Sequence, residues 1–494
     1  MKTEGKYSFD TGKIQTFGVA DYTITAAMLV CSAAIGAFYV IKDRHNNSIK
    51  EYLLGGRSMH YIPVSMSLLV TYLSALSLLG APAEVYRSNT MLFWFGVSVA
   101  AGCWIVSRVF LPFFYQLGIS NVFQYLEMRF DKKVRTVVVI SYLFHSLFYT
   151  SIVVYVPSIA VSAVTGFNLW GIVIVLGVVS TLYTAMGGMK AVLWTDTLQG
   201  SIMVIGCIVL VVKGSAAVGG FSNAWGIAEK RSRIKFDEFS FDPKTTHSVW
   251  AYVFGAGTMW MGSYGTQQAE VQRALSCSSL RGAKMALGIN AVGYFLVYVL
   301  LVMVGIIMFA FYSDCHPVSF NIIDKDDQLL PLMVMDILGD VPALPGLIIS
   351  SILCGSLSTI SSMLNALGTV IPDQLIKPYC LKHLSDKEEM RLAKVSGFPN
   401  DNSSPERTHG PVKSESLEPR LICPLFDMLF PFLPECVLKP LRFGIVHEGK
   451  YGTAVADPDQ DVDVAGMNEK FIPLRDLAEN KGGHTEDTTW NKKL

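Results

Sequence analysis

Apolar runs of roughly 19 residues or more return again and again between Asp21 and Ile371, and most charges fall between them. No other feature narrows the possible folds as much. About 20 apolar residues cross the hydrocarbon layer as a helix, the form that satisfies its own backbone there. The fold class this predicts is all-α: a polytopic transmembrane helical bundle. Charged residues make up only 16% of the chain, against about 25% in a typical soluble domain. Nine spans are predicted, over 21–41, 63–86, 91–116, 136–163, 168–186, 192–212, 249–268, 285–312 and 344–371. The first follows a polar stretch without the positive start of a signal peptide, so it reads as a retained span.

Lys and Arg collect in cytoplasmic loops of membrane proteins. One set of loops holds Lys42, Arg44, Lys50 and Arg57, then Arg129, Lys132, Lys133 and Arg135, then Lys190, then Arg273, Arg281 and Lys284. The opposite set holds Arg87, Lys325 and a cluster in the long 213–248 loop. The expected topology therefore has residues 1–20 outside, a transmembrane domain over 21–371, and a cytoplasmic, largely disordered tail over 372–494. The N-x-S sequons at Asn46 and Asn402 then lie inside and stay unglycosylated. From Ser396 the tail is polar and rich in Pro and Ser. Pro424, Pro431, Pro434 and Pro440 exclude a regular span over 421–446.

Net charge is zero, so nothing suggests a nucleic-acid partner. The nine cysteines show no metal-ligand spacing, and Cys31, Cys103, Cys207 and Cys354 read as small apolar residues inside spans. No nucleophile elbow, HExxH, P-loop or GxGxxG stands out, so the chain does not read as an enzyme.

Polar groups inside spans carry the functional information. Span 344–371 holds Gly355, Ser356, Ser358, Thr359, Ser361 and Ser362. Gly355 shares a helix face with Ser358 and Thr359, which sets a carbonyl and two hydroxyls where a hard cation can meet them. Close helix packing through small residues explains the same pattern. Span 63–86 contains Thr71, Tyr72, Ser74 and Ser77 before Gly80 and Pro82. Either it is interrupted and frees carbonyls for an ion, or it is a proline-kinked packing helix with hydroxyls bonded to their own backbone. Span 249–268 mixes glycines with Tyr252, Phe254, Trp260 and Tyr264 and ends in Gln267-Gln268. That composition suits a small organic or soft anionic solute, or an interfacial belt. His145 reads as a hydrogen-bonded core group, and Arg108 as a side chain reaching to the inner face.

Seven ordered blocks then carry a resemblance: EYLLGGRSM (51–59), SLLVTYLSALSLLGAPAEVY (67–86), VFQYLEMRF (122–130), LFYTSIVVYVPSIA (147–160), YTAMGGMKAVLWTDTLQ (183–199), YGTQQAEVQRALS (264–276) and SLSTISSMLNALGTV (356–370). The chain resembles the sodium/solute symporter family of LeuT-type fold. It looks closer to the monocarboxylate, multivitamin and iodide carriers than to the sugar carriers. The resemblance implies a co-transported sodium ion held by Val70 and Leu73 carbonyls with Gly355, Ser358 and Thr359. It implies a sodium exit role for Asp196, for which a helix-terminal charge is the plainer reading. It also implies a small anionic solute among Tyr72, Ser77, Tyr149, Trp260, Tyr264, Gln267 and Gln268. The family's usual Asn-Gln pair is Gln267-Gln268 here, and Ala269 stands where sugar carriers have a stacking aromatic.

Family members continue past the eighth core helix with at least two more. Here LIKPYCLKHLSDKEEMRLAKV (375–395) runs into the polar tail. The resemblance thus implies a LeuT-like inverted repeat whose second repeat is incomplete, leaving a face of span 344–371 to meet lipid or a partner. The expected function is sodium-coupled symport of a small organic anion across the plasma membrane. The alternative is a transport-inactive or regulatory product that associates with full-length carriers.

Overall fold

A computed structural model describes residues 17–42, 55–119, 121–371 apart from 243, 321 and 324, together with 374, 422–423 and 443–444. Residues 1–16, both sequons and the remainder of the tail lie outside the described residues. Within the tail, Ile422–Cys423 (β1) pairs antiparallel with Phe443–Gly444 (β2).

The other regular elements among the described residues are helical, with an isolated bridge between Met59 and Cys277. In order come α1 (Val19–Lys42), α2 (Tyr61–Tyr72), α3 (Ala75–Arg87), α4 (Phe93–Arg108), α5 (Phe110–Leu117), α6 (Val122–Arg129) and α7 (Lys132–Thr165). Then follow α8 (Leu169–Ala217), α9 (Phe221–Lys230), a π-turn (Ala251–Ala256), α10 (Gly257–Thr266), α11 (Gln268–Leu275), α12 (Leu280–Phe311), α13 (Leu329–Leu338) and α14 (Leu344–Ile371). Their ends follow local chemistry. The side chains of Asn121, Asp131, Asn168 and Ser279 accept backbone N–H groups in the first turns of α6, α7, α8 and α12. α8 is interrupted at Gly188, whose φ of 58° and ψ of −162° glycine alone adopts freely. That break separates the two spans expected over 168–186 and 192–212.

Among the described residues, six helices are long and apolar enough to cross a membrane, or seven when the bent pair α2–α3 counts as one. The expected span over 168–186 appears as a shorter apolar helix, Leu169–Leu182. The one over 249–268 is divided between the π-turn and α10. Glycines and the π-turn shorten both regular stretches, so length and composition do not yield nine spans.

Helix α14 is the hub. It packs on α8, α7, α1 and α2, and 89% of its apolar window is buried, against 17% for α1 and α7. The expectation that one of its faces meets lipid is therefore corrected: its serine-rich surface is enclosed by neighbouring helices. The open apolar surface lies elsewhere, on α7 at Val137, Phe144, Leu147 and Phe148 and on α1 at Val30 and Phe38. His145 lies exposed on that α7 surface beside Tyr149, not in the core. Cys31 is likewise exposed, whereas Cys103, Cys207 and Cys354 are buried as expected.

Two positive charges counted as loop residues are interior. Arg135 is 4% exposed and pairs with Glu127, and Arg273 is 1% exposed. Arg273 sits on the short helix α11, folded back against the bundle, and Arg135 in the first turn of the long helix α7, where it turns inward to Glu127; a sequence of loops and spans anticipates neither.

Candidate functional site

The site begins with a fault in one helix. α2 and α3 meet at a bend of 58°. Leu73 (φ −82°, ψ 60°) and Ser74 (φ −71°, ψ 171°) leave helical geometry there. The fault lies well ahead of Pro82, so proline does not cause it. Carbonyls 70 to 73 thereby lose the amides four residues on. Two are satisfied otherwise: the Thr359 hydroxyl donates to Thr71 O at 2.9 Å, and the Ser77 hydroxyl donates to Tyr72 O at 3.1 Å. Among the described residues no donor reaches the carbonyls of Val70 or Leu73. Unpaired buried carbonyls are costly, and a cation relieves them.

Helix α14 crosses at this point. A Cβ on Gly355 would stand 2.8 Å from the Leu73 carbonyl oxygen, so only glycine lets α14 approach so closely. The Thr359 hydroxyl also contacts its own Gly355 carbonyl at 2.8 Å. The Ser358 hydroxyl donates to Asp196 Oδ1 at 2.7 Å. Val70, Leu73, Ser358 and Thr359 are all at most 1% exposed. The residues expected to bind sodium are thus brought to one helix crossing.

Beneath the crossing lies a charged hub that sequence reading missed. Asp196 is fully buried and accepts from Ser67 as well as from Ser358. Arg273 Nε donates to Ser67 Oγ at 2.6 Å, and Nη1 donates to Ala269 O at 3.0 Å. Its Nη2 donates to Ser362 and lies 3.6 Å from Asp196 Oδ2, while Nη1 lies 3.5 Å from Glu270. Asp196 is therefore no helix-terminal charge but one pole of a buried ion pair. This arrangement exists because the chain leaves helical geometry at Gln267 (φ −74°, ψ 129°) and restarts as α11, every residue of which is buried. The available sequence signal was the Glu270/Arg273 pair, opposite charges three apart directly after an apolar run.

The aromatic cluster sits at the same level. Tyr72 packs edge-on against Trp260 and Tyr264, each at 5.0 Å between ring centroids. Phe95 and Tyr294, both unremarked in the sequence, complete the wall around Trp260 at 5.4 and 5.3 Å. Among the described residues, Trp260 Nε1 and Gln267 Oε1 are buried without a hydrogen-bond partner, and the Tyr72 hydroxyl faces Ser263. Tyr149 reaches Ser74 at the break, and Ser77 lies just beyond it. Gln268 is not brought into the cluster: its side-chain carbonyl accepts Val122 N at 2.9 Å and anchors the start of α6.

Comparison with known proteins places the chain in a family and a fold. The family model described as the sodium:solute symporter family matches residues 52–397. The sodium-coupled monocarboxylate transporter 2 of Mus musculus is 39% identical over 382 residues, 77% of this chain and 62% of that protein. The sodium-coupled monocarboxylate transporter 1 of Xenopus laevis is 41% identical over 383 residues (78% and 61%), and the human sodium/iodide cotransporter 37% identical over 385 (78% and 60%). These relatives are transporters, not enzymes, and this chain spans about three fifths of their length. A substrate-bound, outward-open Na+-coupled sialic acid symporter shares the fold, with a TM-score of 0.72 at 22% identity over 77% of this chain and 79% of that one. The broken α2–α3 pair, the serine face of α14 and the matched model together assign this multi-pass membrane protein to the sodium:solute symporter family.

Proposed function

We propose that the chain carries the cation- and solute-binding core of a plasma-membrane symporter that couples sodium entry to uptake of a small organic anion. One observation carries this most: Val70 and Leu73, the two carbonyls without a donor, lie at the crossing with Gly355, Ser358 and Thr359. Asp196, directly below, gives a departing cation its next oxygen partner toward the Lys190 end of the bundle. Tyr72, Ser77, Tyr149, Trp260, Tyr264 and Gln267 form the solute wall. Gln268 supports it through Val122. The monocarboxylate carriers among the relatives favour a monocarboxylate or vitamin-like solute. The Lys/Arg pattern favours nine spans, an extracellular N-terminus and a cytoplasmic tail. One sodium charge crossing the field gains about 2.3 kcal/mol per 100 mV, enough for modest concentrative uptake.

Sodium-dependent thermal stabilisation of the purified chain tests the ion site. Ser358→Ala and Thr359→Ala each remove one oxygen near the cation, and each should cost at least about 1 kcal/mol of sodium binding. Parental sodium response in both variants would move the site elsewhere.

A second reading rests on length. The relatives extend well beyond the matched region, and rocking one repeat against another requires two complete repeats. On this reading the chain alone shows little or no uptake, acting instead as an inactive or regulatory product beside full-length carriers. Uptake of labelled monocarboxylates, vitamins and iodide separates the two. The assay compares the chain alone with a chimera that adds a relative's further spans after Val395. Robust uptake by the chain alone would remove the second reading.

A further inference from the structure

Away from the ion site, where α3 finishes, three side chains join the two broken helices. Glu84 lies on α3, and His247 and Tyr252 lie at the entry to α10. His247 Nε2 is 2.9 Å from Glu84 Oε1, and the Tyr252 hydroxyl is 2.6 Å from His247 Nδ1. With the hydroxyl donating to Nδ1, the imidazole proton sits on Nε2 and is donated to the carboxylate. Ser88 donates to the same Glu84 oxygen at 2.6 Å, which fixes the carboxylate's rotamer. The His247 and Tyr252 rings lie parallel, 5.8 Å apart. A carboxylate on an apolar helix is expensive unless paired; this one is held locally by Ser88 and, across the gap between α3 and the loop, by His247.

The loop itself is strapped to the same end. Thr90 and Lys235 exchange two hydrogen bonds of 2.8 Å, Trp94 Nε1 donates to Phe236 O at 2.8 Å, and Arg233 caps the carbonyls of Arg87 and Ser88. From Tyr252 the backbone passes through the π-turn into α10, which carries Trp260 and Tyr264. From Glu84 it runs back along α3 to the break at Ser74. The contacts of Glu84, His247 and Tyr252 therefore bind the far ends of the two elements whose near ends form the aromatic cluster.

We infer that Glu84, His247 and Tyr252 form a latch that holds these two broken helices together at the Arg87 end and keeps the Tyr72–Trp260–Tyr264 cluster closed from that side. They are positioning residues: none of them touches the cluster. That the cluster holds a solute rests on the reading above, but the latch is a claim about access and is tested without transport.

The test uses a thiol introduced by Ser263→Cys, half-buried on the turn between Trp260 and Tyr264. Its reaction with a water-soluble maleimide is followed by peptide mass spectrometry on the purified chain. His247→Ala or Glu84→Ala should speed labelling roughly tenfold, the effect of losing one hydrogen bond to a charged group. His247→Gln, whose amide offers an acceptor and a donor at similar spacing, should restore the slow rate. The native thiols of Cys207 and Cys354, buried elsewhere, should stay unreactive throughout. Unchanged labelling in the alanine variants would overturn the latch. So would an equal rise at Cys354, which marks general loosening, or a Gln variant as fast as Ala. If His247→Ala does not fold, Tyr252→Phe removes one hydroxyl from the latch and carries the same test with a smaller rise.

Discussion

Gly355→Ala puts the helix crossing to the sharpest trial. The added methyl would lie 2.8 Å from the Leu73 carbonyl oxygen, 3.0 Å from Ala75 N and 3.0 Å from the Ser74 carbonyl carbon. Carbon contacts are most favourable at about 3.5–4.0 Å, so each distance falls short by roughly half an ångström or more. All three atoms are backbone, so no rotamer change relieves them and α14 must retreat from the α2–α3 break. Overpacking of this kind costs about 1–3 kcal/mol, and replacing a helical glycine returns about 0.5–1 kcal/mol. The net loss should be about 1–2 kcal/mol. Gly80→Ala is the control: on α3, with nothing within 4 Å of its Cβ, it should stabilise by about 0.5–1 kcal/mol. Retreat also carries Ser358 and Thr359 away from Leu73 O, so the sodium midpoint should rise roughly tenfold. Thermal unfolding of detergent-purified protein, titrated with sodium at constant ionic strength, reads both quantities. A Gly355→Ala protein with parental stability and a parental sodium midpoint would refute the crossing as the ion site.

Other outcomes follow from the same contacts. Arg273→Met strands Asp196 and Glu270 without their buried counter-charge and should cost about 3–5 kcal/mol in unfolding experiments. Arg273→Lys should rescue little, because a single ammonium does not span Ser67, Ser362 and Ala269 O together. Trp260→Ala should cost about 3–5 kcal/mol through the cavity left among four aromatic neighbours. Gln267→Ala, which removes a side-chain carbonyl without a partner among the described residues, should leave stability nearly unchanged while weakening binding of a labelled monocarboxylate. An epitope placed after Leu494 should stain only in permeabilised cells, and staining of intact cells would reverse the topology.

The spacing of Gly355, Ser358 and Thr359 made their shared face readable from sequence, because one regular helix carries all three. The break at Leu73–Ser74 was readable only as one of two options: nothing in TYLSA distinguishes an interrupted helix from a proline-kinked one until a crossing helix occupies the gap. The break at Gly188 was readable only as the gap between the spans expected over 168–186 and 192–212. Arg273 was the largest miss. In one dimension it follows a span and resembles a loop charge, and its interior position depends on α11 folding back after Gln267. Glu84 was overlooked inside an otherwise apolar block, although a carboxylate there had to find a partner. His247, too distant in sequence to suggest itself, was that partner. Gln268 was grouped with Gln267 by adjacency, yet the extended backbone between α10 and α11 sends the two side chains to different neighbours.

The fault between α2 and α3 has one more consequence. Each half-helix is a dipole, and at Leu73–Ser74 they meet head to tail: the negative carbonyl end of α2 beside the positive amide end of α3. One discontinuity therefore presents opposite partial charges within a residue or two of each other. A cation drawn to the first and an anion drawn to the second reinforce one another through the field they share. Binding of either should raise affinity for the other by the same factor, as linkage requires. A change that mends the helix would then weaken both affinities together, whereas one confined to the ion side or the solute side acts first on its own ligand.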